Sequence, residues 1–268
     1  MRPTEPLCSW GNYAGAAWIV IAAAGSVAGA PQTVTFPVQQ IQPFFVPGAS
    51  VYLVPEREYQ RQFAPMAARL YGVDMLPPAD PYRRALGSVI FRLAESRRVT
   101  AQVWEEGTGR AVRLYATVDG RWTELNREIV HEGAGLPRKE GQVVPYRAAE
   151  VEARKMQIGR YAYRPLAGFW ANSTPVYAAT LRPAAGVSLP FAVAMVNPAR
   201  VEAGYLGPKG VVLLPTGETK LRYYLLKVEA NGPELRMIMR GMGESPSVAF
   251  VWRWDGATYR FIRAASRS

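Results

Sequence analysis

The sequence predicts an α+β protein: a small β-barrel with about three helices, followed by a mostly antiparallel β domain. Three observations carry this prediction. Between Val51 and Tyr163, short strand patterns alternate with amphipathic helix patterns. After about Pro165 the pattern changes to strands separated by turns. A chain of 268 residues is also long enough for two ordinary domains, each with its own core. The expected organisation is a signal peptide over 1–30, an extended lead-in over 31–50, the barrel with its helices over 51–164, and a β-rich domain over 165–268.

The elements follow in order. Arg2 precedes an apolar run from about Tyr13 to Val27, and Ala28-Gly29-Ala30 before Pro31 reads as a signal-peptidase site. The run is also about long enough to span a bilayer, so an uncleaved anchor is the rival reading. Pro37, Pro43 and Pro47 punctuate the lead-in, and Val51 to Val54 reads as the first strand. Ala68 to Val73 is a short apolar strand. Pro81 to Ser96 suits a helix capped by Asp80, with Leu86, Val89, Ile90 and Leu93 on one buried face and Arg83, Arg84, Arg92, Arg97 and Arg98 on the rest.

Val99 to Trp104 and Ala111 to Val118 read as paired strands across the turn Glu105-Glu106-Gly107-Thr108-Gly109, and Asp119-Gly120 turns the chain again. A second helix spans Thr123 to His131 and stops at Gly133. The third, Pro145 to Ile158, closes at Gly159, buries Ala149, Val151 and Met156, and offers Glu150 and Arg154 as a pair four residues apart. Further on, Asn231-Gly232 and Asp255-Gly256 are hairpin signals. The aromatic residues there, Tyr223, Tyr224, Phe250, Trp252, Trp254, Tyr259 and Phe261, form either a binding face or the core of the β domain.

A formal charge of +11 and a pI near 9.9 favour a polyanion or an anionic surface as partner, although the basic residues are spread from Arg57 to Arg267. The only cysteine, Cys8, precedes the apolar run. Signal cleavage therefore leaves no thiol, which excludes disulfides and cysteine catalysis. His131 is the only histidine, so histidine-rich zinc sites are excluded as well.

Arg69-Leu70-Tyr71-Gly72-Val73-Asp74 resembles the strand that carries an arginine and a metal-binding aspartate in staphylococcal-nuclease-like (thermonuclease) proteins. The resemblance continues through Gly109-Arg110, the strand from Ala111 to Val118, Asp119-Gly120, the helix around Leu125 to Val130, and Glu132-Gly133. It closes with the helix Tyr146 to Arg154 and Ile158-Gly159. It covers roughly Val51 to Tyr163. It implies an OB-type β-barrel with helices and, in active forms, calcium-dependent hydrolysis of phosphodiesters in DNA and RNA. In such a site carboxylates hold the cation, another carboxylate activates water, and two arginines neutralise the phosphate. By resemblance Asp74 is the metal ligand, and Arg69 and Arg110 are the phosphate-facing arginines.

Two departures set the functional question. The position of the catalytic glutamate falls on or near Pro77, which cannot take a proton, and no aspartate precedes Asp74. Glu56 or Glu58 are the candidate substitutes for the second metal ligand, and Asp80 for the base, set against its simpler role as a cap. The leading expectation is an exported protein, periplasmic or secreted, that needs no cofactor and binds nucleic acid, another polyanion or an envelope partner. The alternatives are a divergent calcium-dependent nuclease, and an envelope structural protein that binds a protein or polysaccharide through its C-terminal β domain.

Overall fold

The chain enters its first sheet at Val34, well before the strand expected at Val51, and Val34–Val46 forms one long strand, β1. The computed structural model describes residues 33–267, apart from 96, 119–120, 140–143, 198–199, 216–222 and 242–246. The expected signal over 1–30, Cys8 and the turn at Asp119-Gly120 lie outside the described residues. After β1 come β2 (Ala49–Pro55), β3 (Met66–Leu70), β4 (Val73–Met75), helix α1 (Ala85–Ala94), β5 (Val99–Glu106), β6 (Gly109–Val118) and β7 (Arg121–Glu124). Then follow α2 (Leu125–His131), β8 (Gly135–Pro137), α3 (Val144–Met156), α4 (Arg160–Tyr163) and a short 3₁₀ turn at Arg164–Leu166.

Five strands close on themselves in a ring. β1 pairs with β2 and β5, β2 with β3, and β5 with β6, all antiparallel. The ring is closed by a parallel pairing of β3 with β6, which places Arg69 opposite Ala111 and Leu70 opposite Val112. Strand alternation sends Phe36, Leu53, Leu70, Ala101, Val103, Val112 and Leu114 into the shared core. β7 extends the sheet from the far side of β6.

The prolines that made 31–50 read as a lead-in are accommodated by the way β1 is shared. Residues from Val34 to Val38 pair with β5, and those from Val38 to Val46 pair with β2. Pro37 lies opposite Thr100 of β5, with its carbonyl accepting the Glu56 N–H just beyond β2 at 2.9 Å, and Pro43 lies opposite Val51 of β2 beyond the β5 ladder, so each proline takes part in one ladder only.

Closure by two residue pairs is short, and a buried side chain completes it. Asn126 of α2 is fully buried; its carbonyl oxygen accepts the Leu114 N–H at 3.0 Å. Its amide donates to the carbonyls of Tyr71 at 3.0 Å and Val112 at 2.9 Å. One amide thus joins the end of β3 to β6.

The helices keep the predicted order with altered edges. The turn before α1 runs on i to i+3 bonds such as Ala85 N–H to the Tyr82 carbonyl, 2.9 Å, so the α-helix proper begins four residues after Pro81. Thr123 lies in β7 and not in α2. In α3 the buried residues are Tyr146, Ala149 and Ala153, while Val151 is 64% exposed. Val151 sits two positions from Ala149, about 200° round the helix, so the two cannot share a face. Met156 is exposed as well. The Glu150–Arg154 pair forms at 3.1 Å.

The remaining chain builds two four-stranded antiparallel sheets. One holds β9 (Thr174–Leu181), β10 (Leu189–Asn197), β11 (Arg200–Gly207) and β12 (Gly210–Leu214). The other holds β13 (Tyr223–Asn231), β14 (Glu234–Gly241), β15 (Ser247–Trp254) and β16 (Tyr259–Arg267). Phe191, Val193 and Tyr205 from the first meet Leu235, Met237, Phe250 and Trp252 from the second in one core. The hairpins at Gly232 and Gly256 occur as predicted, both glycines with positive φ. Phe250, Trp252 and Tyr259 are buried in the core and Trp254 packs against it, while Phe261 remains 45% exposed.

β10 is buried on both faces. Ala192 and Ala194 join the ring-side core while Phe191 and Val193 join the other. Alanine there lets the helices approach the sheet closely. The same junction holds a buried ion pair: Arg92 of α1, expected on the solvent side, reaches Glu132 at 3.0 Å and lies 5.2 Å from the Tyr177 ring of β9. Burial, with Glu132 adding, pushes the Tyr177 phenol up to about 12. The described residues belong to one compact unit, Pro31–Ser268, whose first core continues across Pro165 into β9 and β10.

Candidate functional site

The candidate site is the rim of the ring where β3, the β5–β6 hairpin and β8 come together. Residues Ala68 and Leu70 point into the core, so alternation turns Arg69 outward. Arg110 opens β6, opposite Glu105 across the hairpin. Two residues connect these strands, and Gly107 takes the positive φ of +63° that the first turn position requires. Asp74 lies in β4 opposite Leu136 of β8, and the Arg138 N–H just beyond β8 donates to the Gly72 carbonyl at 2.9 Å.

The β3–β6 register sets Arg69 opposite Ala111, beside Arg110, while Asp74 follows on β4, paired with β8. The structure gives both arginines carboxylate partners of their own. Arg69 forms a short ion pair with Glu106, and Arg138 approaches the same carboxylate at 3.4 Å. Arg110 binds Glu105 through Nε at 3.0 Å. Asp74 is half-buried and makes no side-chain ion pair among the described residues. Arg69 and Arg138 thus share Glu106 while Arg110 holds Glu105, so each arginine of the rim has a carboxylate partner. Surface pairs of this kind contribute little stability, typically below about 1 kcal/mol, but they set which groups are free to meet a ligand.

The candidate replacement carboxylates lie elsewhere. Glu56 bonds Arg98 at 3.2 and 3.0 Å, and Glu58 lies 3.6 Å from the same guanidinium. The β2–β3 register places Val51 opposite Ala68 and Leu53 opposite Met66. Glu56 therefore lies beyond the opposite end of that hairpin from Arg69, on the order of 20 Å along the strand. Asp80 is committed to structure: its carboxylate accepts the Tyr82 N–H at 2.9 Å and pairs with Arg160 at 3.2 Å, with 8% of the side chain exposed. It caps the turn before α1. The turn that leads into β2 holds Pro47 and Gly48, with no carboxylate. Among the described residues no group of three or more aspartate, glutamate, histidine or cysteine side chains could hold a metal ion.

Sequence patterns did not single out Glu106 and Arg138, although alternation offered a signal for one of them. Gln102, Trp104 and Glu106 share the outward face of β5, so Glu106 was placed to meet an outward arginine on a neighbouring strand. Arg138 follows a three-residue strand whose pairing with β4 leaves almost no local pattern.

Next to the rim an aromatic and basic cluster covers the outer face. Arg113 lies 4.3 Å from the Tyr71 ring centroid and 5.7 Å from that of Trp104, and its Nε is 3.7 Å from Glu124. Burial works against the Arg113 charge, yet Glu124, Tyr115 and Tyr146 together outweigh it and hold the guanidinium protonated. Burial and the bond to Glu124 push the Tyr146 phenol up. The Arg113 guanidinium is held by ring faces and the Glu124 charge, although its Nε has no hydrogen-bond partner among the described residues, and this arrangement fits packing of the outer face.

No helix among the described residues is long and apolar enough to cross a membrane. No protein-family model matches the chain, and no curated protein shows significant similarity to it.

Proposed function

We propose that this chain is an exported, non-catalytic protein built on a nuclease-like, OB-type ring, acting as a binding or interaction module for a polyanion or an envelope partner. The OB-type reading draws support from the strand order, β3-β2-β1-β5-β6 with parallel closure, and from the helix between the third and fourth ring strands. The observation that carries the loss of catalysis is the pairing at the rim. Arg69 and Arg110, which resemble phosphate-facing arginines, are held by Glu106 and Glu105, and Asp74 belongs to no group of three or more ligating side chains among the described residues that could hold calcium.

The deciding experiment incubates the purified protein with single-stranded DNA, with and without calcium. No hydrolysis above buffer is expected. Calcium-dependent cleavage abolished by Arg110→Ala, with folding retained, would overturn the reading in favour of a divergent nuclease.

A second measurement addresses polyanion binding at the rim. Glu106→Gln releases Arg69 and Arg138, so retention of single-stranded DNA should rise at low salt. The salt dependence of log K should steepen by about 0.7 for each additional phosphate that the released arginines neutralise. An unchanged slope would remove the rim from consideration as an anion surface.

A further inference from the structure

A cavity of about 410 Å3 opens where the end of β1, the turn before α1 and the segment leading into β9 meet. Phe45, Pro81, Ala167 and Trp170 supply apolar wall, while Asp80, Arg83 and Arg84 supply charge. That charge is unbalanced. Asp80 is already neutralised by Arg160 at 3.2 Å. Neither Arg83 nor Arg84 makes an ion pair among the described residues, and the first turn of α1 holds no acidic side chain. Two cations at the positive end of a helix therefore stand without a counter-charge, beside an apolar surface.

The walls also prepare one guanidinium for a ligand. The Arg83 guanidinium carbon lies over the Phe45 ring, 5.4 Å from its centroid, a cation–π contact that holds the charge against the cavity wall. Arg84 acts on the Tyr163 phenol, which burial pushes up and the Arg84 charge partly brings back. Arginines arranged in this way recognise tetrahedral or planar oxyanions through paired N–H donors. The volume falls within the range of small-molecule sites, roughly 300–1,000 Å3, and exceeds what a bare oxyanion needs.

We propose that this cavity binds a small organic oxyanion, a phosphate or carboxylate carried on an aromatic ring. The oxyanion sits on Arg83 and Arg84, and the ring lies against the wall formed by Phe45 and Trp170. The segment from Tyr163 to Ser173 forms one side, so the site depends on residues beyond the nuclease-like ring. This site goes beyond the proposed function and does not rest on it.

Phenyl phosphate is the probe, titrated calorimetrically into the purified full-length protein, with inorganic phosphate and phenol as separate arms. Saturable binding of phenyl phosphate is expected, with each half-probe weaker by at least about tenfold. The double substitution Arg83→Gln and Arg84→Gln should lower phenyl phosphate affinity by at least about tenfold without shifting the thermal midpoint. Phe45→Ala should weaken phenyl phosphate more than inorganic phosphate. No saturable binding at millimolar probe, equal affinity for inorganic and phenyl phosphate, or full affinity in the folded double variant would each overturn the proposal. None of these results depends on DNA cleavage, so the cavity and the rim stand or fall separately.

Discussion

Replacing Asn126 with leucine is expected to lower stability by about 2–5 kcal/mol, because it leaves two buried or partly buried backbone groups without their partners. Leucine has nearly the same shape, so the core volume changes little and the loss is polar. The Leu114 N–H loses its acceptor and the Tyr71 carbonyl loses its donor, whereas the Val112 carbonyl still accepts the Tyr71 N–H at 2.9 Å. These groups bridge the parallel seam between β3 and β6, which has only two paired positions, so the effect should concentrate at ring closure. Denaturant unfolding would show a lower midpoint, and the Leu114 amide would exchange hydrogen faster than other β6 amides. Asn126→Asp separates the roles, since a carboxylate accepts from Leu114 but cannot donate to the two carbonyls. A stability within about 1 kcal/mol of wild type for both variants would show that the strand ladder alone closes the ring.

Asn126 also marks how far the sequence could be read. Its neighbours Leu125, Ile129 and Val130 declared a buried helical face, and that face is present. Nothing in the local pattern says that a polar residue between them turns inward, since only tertiary structure supplies the open backbone groups it satisfies. Proline misled at β1 for a related reason. The rule that excludes it from strand interiors assumes partners on both sides, and β1 offers each proline one. Arg92 was assigned to solvent because charge ordinarily is. Its burial depends on Glu132, which follows α2, and the Tyr177 ring from β9, forty or more residues away.

The rim was legible in part. The order of Arg69, Asp74 and Arg110 along the chain marks them as candidates, and the β3–β6 register sets Arg69 beside the start of β6, where Arg110 lies. Their partners are not marked in this way, because the two glutamates read as the opening of a glycine-rich turn and not by the face of β5 on which each falls. The paired rim also sharpens the meaning of the +11 charge. Long-range attraction of a polyanion depends on cations without nearby counter-charges, and Arg69, Arg110 and Arg138 each have a glutamate within 3.4 Å.

Replacing Gly159 with alanine is expected to destabilise the protein by about 3–5 kcal/mol, from an unfavourable backbone conformation together with a clash against rigid main chain. Gly159 has φ 62° and ψ −128°, a region that residues with a Cβ rarely enter. An added Cβ would stand 2.0 Å from the Glu132 carbonyl oxygen and 2.9 Å from the Gly133 Cα. Neither neighbour can give way cheaply. Glu132 and Gly133 end α2, while the Gly159 N–H donates to the Ala178 carbonyl of β9 at 2.8 Å and the Gln157 carbonyl accepts from the Thr180 N–H at 3.0 Å. The clash therefore pushes apart the end of α2, the link between α3 and α4, and β9, beside the Arg92–Glu132 pair. Gly133→Ala should cost less, about 1–2 kcal/mol, because its nearest neighbours stand at 3.0–3.2 Å and the conformational penalty dominates. Gly107→Ala, in open space at the hairpin turn, should show the conformational penalty alone, about 1–2 kcal/mol. Chemical denaturation of the three variants separates the contributions. If Gly159→Ala unfolds at the same denaturant concentration as Gly107→Ala, close backbone packing does not hold this junction together; a clearly lower midpoint assigns the difference to the close approach of α2 and the α3–α4 link.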